Sequence, residues 1–253
     1  MLRIAVRALM LLGLASANGQ ADVVVNVQFG AATTAAEVGA AVVGSATDQW
    51  NLVKTMPGST GVALNNTAGV NSGITLKSSG NTTGTGFYYS ATGYGNWSGS
   101  SIQNLMSSYF WTSSTTASTF TFSGLSTTQI YEIYVYTQTD VNGERLSVSL
   151  NGVTPAQTAN SSIANPNNQL ILNTNYLVFS NKNAMTGGVM TLDVSRFAGA
   201  NSVLNGIQIV AVPEPGTLLL GGIAAASGGA GVWWRRRKPR PAPSEPEPGA
   251  AAD

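Results

Sequence analysis

The sequence contains no cysteine and no histidine, and only 9% of its 253 residues are charged. Without cysteine there are no disulfides, no thiolate metal sites and no thiol nucleophile. Without histidine the commonest general base, the Ser-His-Asp triad and the commonest metal ligand are also missing. Most enzyme chemistries are thereby made improbable. The formal net charge of +1 is unevenly spread, because Arg3 and Arg7 sit at the N-terminus and Arg235, Arg236, Arg237, Lys238 and Arg240 crowd the C-terminus. Between Asp22 and Val212 five basic residues face seven acidic ones. A nucleic-acid-binding body would carry a basic stripe, so nucleic acid is not an expected partner. What is present is a chain 43% hydrophobic with 29 glycines, apolar enough to fold and rich in turns.

The first residues read as a sorting device. A basic start (Arg3, Arg7), an apolar run from Ala8 to Leu14 and the Ala15-Ser16-Ala17 site have the order of a secretory signal helix. Cleavage is expected after Ala17, with Ala21 as the alternative, so the chain is read as exported.

The other end carries Val212-Pro213-Glu214-Pro215, an apolar stretch from Gly216 to Trp234, and Arg235-Arg236-Arg237-Lys238. As a helix, residues 216–234 would extend about 28 Å, close to one hydrocarbon core. The basic cluster behind it fits a cytoplasmic, stop-transfer end. Six glycines make it a weak span, suited to a segment held briefly and then processed. Motif, span and basic cluster in this order resemble the PEP-CTERM sorting signal of exported bacterial proteins, over 212–240. The resemblance implies exosortase as a partner, membrane anchoring through the C-terminal helix, and then the cell surface or extracellular matrix. Residues 241–253 read as a disordered, Pro-rich tail.

The body, 22–211, shows short runs of strand composition separated by Gly, Asn, Ser and Thr. Val23–Phe29, Ile74–Lys77, Phe87–Ser90, Phe120–Phe122, Tyr131–Gln138, Leu146–Leu150, Tyr176–Phe179, Val189–Val194 and Leu204–Val210 are expected strands. Asn142-Gly143 and Asn151-Gly152 have the composition of hairpin turns. Thr34–Val43 and Ile102–Phe110 could be helical, the latter from Ile102, Leu105, Met106 and Tyr109. The fold class is mostly β, an antiparallel jelly-roll-like sandwich. From about Ile102 the layout, with Phe120 to Leu125, the Asn-Gly loops and the closing Leu204-Asn205-Gly206-Ile207, resembles galactose-binding-like or malectin-like domains.

Glycoside hydrolysis asks for two carboxylates across a cleft, and the acids here are scattered. Only Asp140 and Glu144 are neighbours. With Asn142 they place three oxygen side chains at alternate positions, a weak calcium pattern. A solvated turn is the favoured reading, and no cofactor is expected. Sugar rings stack on aromatic faces, and Tyr94 and Trp97 stand in a Gly-rich loop that could present them. Trp50 and Trp111 are further candidates, read first as plugs of the core. The sum is an exported, non-enzymatic surface or matrix protein. A module that recognises extracellular polysaccharide is the alternative, and a glycosidase or lyase comes last.

Overall fold

The structure, a computed structural model, describes residues 22–91, 97–139, 141, 143–160 and 169–213. These residues fall within one of two compact units of the chain, Gln20–Pro213. The expected signal helix, the sorting motif from Glu214 onward, the expected spanning helix and the tail lie outside the described residues, as do Tyr94, Asp140 and Asn142. Among the described residues no helix is long and apolar enough to cross a membrane.

The protein is mostly β, as its period-two runs require. One five-stranded sheet has the order β11 (Tyr176–Asn183), β8 (Ile130–Tyr136), β14 (Gly206–Val212), β1 (Asp22–Phe29), β2 (Asn51–Val53). A six-stranded sheet has the order β10 (Val153–Asn160), β9 (Arg145–Leu150), β12 (Val189–Ala198), β7 (Ser118–Ser123), β4 (Asn71–Gly80), β3 (Val62–Asn65). A third, of three short strands, runs β13 (Ser202–Leu204), β6 (Ser108–Thr112), β5 (Thr85–Tyr89). Pairing is antiparallel throughout, apart from β1 with β2.

The two large sheets share one core. Val25, Val27, Ile133, Val135, Ile207 and Ile209 come from the first; Phe120, Phe122, Leu146, Val148, Leu192 and Val194 come from the second. Each set is every second residue of its strand, so one face of each sheet is apolar and the faces meet. Phe120 lies at the centre, with ring centroids 5.1 Å from Phe29 and 5.4 Å from Phe110.

The opposite face of β8 is also buried, where an unpaired face would normally meet water. Tyr134 and Tyr136 join Trp50, Trp97, Ile102, Leu105, Met106 and Val210 in a second cluster. That cluster is roofed by residues 31–50 and by helix α1 (Gln103–Met106). A polar network crosses it: the Tyr136 hydroxyl donates to Gln208 Oε1, and Gln208 Nε2 donates to Asn26 Oδ1 at 2.9 Å.

Four expectations differ from what is found. Residues 34–43 are irregular chain with an isolated bridge, Val38 to Gln49, because Gly39 (φ +130°) and, just beyond, Gly44 (φ +111°) hold conformations no helix uses. Ile102–Phe110 is helical only over Gln103–Met106, then becomes β6. Leu204–Val210 is two strands in different sheets, separated at Asn205. β8 and β9, the strands on either side of the expected Asn142-Gly143 turn, lie in different sheets and form no hairpin with each other. Asn151-Gly152 does close one, between β9 and β10, with φ of 54° and 69° as a primed turn demands.

Candidate functional site

The third sheet turns one face inward and one outward. Phe87, Phe110 and Leu204 point into the main core. The residues between them, Tyr88, Tyr109, Trp111 and Val203, therefore share the outer face. Tyr88 lies directly opposite Tyr109 and Trp111 opposite Gly86 in the pairing of β5 with β6. The tyrosine rings stack at 5.4 Å with 18° between planes, and Tyr88 remains 45% exposed.

Gly86 decides where the indole goes. A Cβ there would stand 2.7 Å from Trp111 Nε1, 2.9 Å from Cε2 and 3.1 Å from Cζ2. The indole thus lies across the glycine backbone, a place that any side chain would fill. Val203 packs on its other strand neighbour.

Beside these rings stands a wall of two loops. Glu144, 3% exposed, joins them: Oε2 accepts from Thr139 Oγ1 at 2.7 Å and Oε1 from the Asn201 amide at 3.2 Å. Gly199 allows this close approach, since a Cβ there would sit 2.8 Å from Glu144 Cα. Ser202 Oγ donates to the Arg145 carbonyl and fixes the next residue. Rings and wall border a hollow of about 160 Å³ lined by Tyr88, Tyr109, Trp111, Glu144, Asn201 and Val203, together with Val141.

A larger hollow of about 400 Å³ opens elsewhere, between Ala41, Val42, Ser101, Ile102, Leu170 and Tyr176. Its described lining carries no charged group and a single aromatic ring.

Of the residues singled out in the sequence, Trp50 lies in the core as expected, while Trp97 and Trp111 are placed differently from expectation. Trp97, a candidate for ring stacking, is 1% exposed inside the second cluster and offers no face to a ligand. Ile102, Leu105 and the tyrosines of β8 enclose it, so its Gly-rich flanks do not lift it out. Trp50 is a core residue, with Nε1 donating to the Gly39 carbonyl at 2.9 Å. Trp111, read first as core, is half-buried on the outer face. Tyr88 and Tyr109 were legible only as strand and helix residues. The signal that would have found them is the period-two alternation Tyr109-Phe110-Trp111 facing Gly86-Phe87-Tyr88.

Glu144 uses both oxygens to hold loops, and its companions in the weak calcium pattern, Asp140 and Asn142, lie outside the described residues. The other described carboxylates are separately engaged: Asp48 by Ser45, Glu132 by Tyr134, Asp193 by Thr119, and Glu37 by backbone amides. Among the described residues no three acids gather to hold a metal ion.

No curated protein sequence matches the chain. Among solved structures, a β-glucuronidase of Bacteroides uniformis is similar at 12% identity and a TM-score of 0.42, over 73% of this chain and 17% of that one. The chain thus spans about a sixth of that enzyme's length. TmCBM61, solved with β-1,4-galactotriose, is 10% identical (TM-score 0.29) over 54% of this chain and 84% of that one. CBM35 from Paenibacillus barcinonensis is 14% identical (TM-score 0.29), over 53% and 97%. At this level of likeness none of them fixes what this chain binds. The C-terminal match is of another kind: it begins within β14, at Ala211, runs to Lys238, and identifies these residues as a PEP-CTERM protein-sorting motif.

Proposed function

We propose that the protein is an exported, non-enzymatic surface or matrix protein, delivered by its C-terminal signal to exosortase. The observation that carries this reading is the junction itself. β14 ends at Val212, and Pro213-Glu214-Pro215 follows with no linker. Two prolines so close together can continue neither a strand ladder nor a helix interior. In this reading residues 1–17 (or 1–21) direct export and 216–234 anchor the chain. Arg235 to Lys238 stop transfer, and 241–253 is a dispensable tail. The body would be a jelly-roll sandwich left at the surface once the signal is processed. The absence of His and Cys, and the local hydrogen bonds of Glu37, Asp48, Glu132, Glu144 and Asp193, support a role without catalysis.

The test is replacement of Pro213-Glu214-Pro215 by alanine in a host that carries exosortase. A longer, membrane-bound form is expected to accumulate, read by immunoblot of membrane and medium fractions. Maturation at the parent's rate would leave a plain membrane anchor instead. Serine at 235–238 is expected to let the tail slip through and release unprocessed protein.

A second reading, recognition of an extracellular carbohydrate, is favoured by the outward aromatic face of the third sheet. There Tyr88 is 45% exposed and stacked on Tyr109, with the half-buried Trp111 beside them, rings of the kind that pack against sugar faces.

A further inference from the structure

We propose that the hollow over the Trp111 indole is a subsite for one neutral hexopyranose unit of a glycan, with Tyr88 and Tyr109 as its side wall. This inference rests on the carbohydrate reading and gives it a place and a ligand class.

Size comes first. A cleft for a drug-sized ligand measures roughly 300–1,000 Å³, and the hollow here is about 160 Å³. It suits one ring of a longer chain, with the rest of the polymer running out over the exposed part of Tyr88.

The chemistry of the lining selects the ring. One face of a pyranose carries axial C–H bonds and packs on aromatic faces, while its rim carries hydroxyls. The indole laid across Gly86 supplies a flat apolar floor. The rim is polar, with two tyrosine hydroxyls and the Asn201 carboxamide among its lining residues. A purely apolar ligand would set no polar group against that rim, and a fully polar one would waste the indole. A pyranose satisfies both.

Charge narrows the class. Glu144 is the one charged residue among the described residues lining the hollow, and it is an anion. No lysine or arginine lines it to receive a uronate or a sulfate. An acidic sugar would bring its carboxylate towards Glu144, and the described lining offers it no cation in return, so neutral hexoses are selected.

Rigidity supports the assignment. Gly86, Gly199, the Glu144 bridge and the Ser202–Arg145 bond hold floor and wall in place before any ligand arrives. Binding then costs little ordering.

The experiment uses the full chain, purified in a zwitterionic detergent without a sugar headgroup. Isothermal titration is run with gluco-, manno- and galacto-hexaoses and with oligogalacturonate. The parent is expected to bind at least one neutral hexaose, unaffected by added salt, and to bind oligogalacturonate more weakly. Trp111→Ala is expected to weaken that binding by about tenfold or more, the ratio that one aromatic face contact supplies. Gly86→Val should act like it, by displacing the indole. Tyr88→Ala should weaken binding several-fold with the melting temperature unchanged, which keeps the test valid if the other two variants fold poorly. A neutral hexaose bound equally by Tyr88→Ala and Trp111→Ala overturns this subsite and leaves the carbohydrate reading standing. Preference for oligogalacturonate overturns the ligand class. Binding of none of the four overturns both.

Discussion

Glu37 reaches out of an irregular loop to cap a helix sixty-six residues further along the chain. Helix α1 is a single turn with no side-chain cap of its own at Ile102, so its first amides need an outside acceptor. Glu37 Oε2 accepts from the Leu105 amide at 3.0 Å and Oε1 from the Val38 amide at 3.0 Å. The Glu37 amide in turn donates to Gln28 Oε1 at 2.7 Å. The residue is 5% exposed, and burial raises its pKa above the usual 4.5, with the backbone bonds pulling back by less. Since the folded value lies above the unfolded one, the contribution of this group is fullest below about pH 4.5 and is lost as pH rises through the folded value. The stability of the parent minus that of Glu37→Gln is therefore expected to fall between pH 4.5 and 7, measured by thermal melting across that range. A difference that does not vary with pH rules out the buried-carboxyl account. Glu37→Ala removes the acceptor altogether and should cost about 1–3 kcal/mol below pH 4.5, with the cost falling as pH rises as it does for Glu37→Gln.

Elements with a single strong period were legible in the sequence; elements built on two were not. Tyr131–Gln138 alternates, and the structure sends Ile133 and Val135 to the main core while Tyr134 and Tyr136 face the other way. What alternation could not show is that this second face is roofed as well. That roof comes from residues 31–50, whose positive-φ glycines and single bridge carry no periodic signal. Ile102, Leu105, Met106 and Tyr109 are all buried, so the helical spacing was a true record of burial. The helix nevertheless ends at Ser107, and from there Tyr109-Phe110-Trp111 follow a strand's alternation instead. Trp97 was misjudged for the same reason, because local Gly and Ser describe its flanks and a distant roof decides its burial. Trp97→Ala is expected to lose about 3–5 kcal/mol in urea unfolding, the scale of a large core deletion. A loss below about 1 kcal/mol would mean that the ring adds little to the second cluster.

The chain closes on its own beginning. β14 is the last described strand and lies between β1 and β8, in the interior of its sheet. Asp22 pairs with Ala211, and Gln28 with Gly206, so the first described strand is matched to the last from end to end, with one register shift between Val23 and Val25. Ile207, Ile209 and Val210 are all 0% exposed, and Gln208 ties the second cluster through Asn26 and Tyr136. Full burial of three aliphatic side chains contributes roughly 5–9 kcal/mol, against a typical domain stability of about 5–15 kcal/mol. Removing β14 also strips β1 and β8 of their shared partner and splits the sheet. The body is thus complete only once residue 212 has been made, at the point where the sorting motif takes over. A chain ending at Asn205 is expected to give no cooperative melting transition and no dispersed amide spectrum, whereas one ending at Pro213 should show both. If the chain ending at Asn205 melts cooperatively, the sheet does not depend on its last strand. Processing could then cut into the body without unfolding it, and the abrupt junction between strand and motif would lose its physical reason.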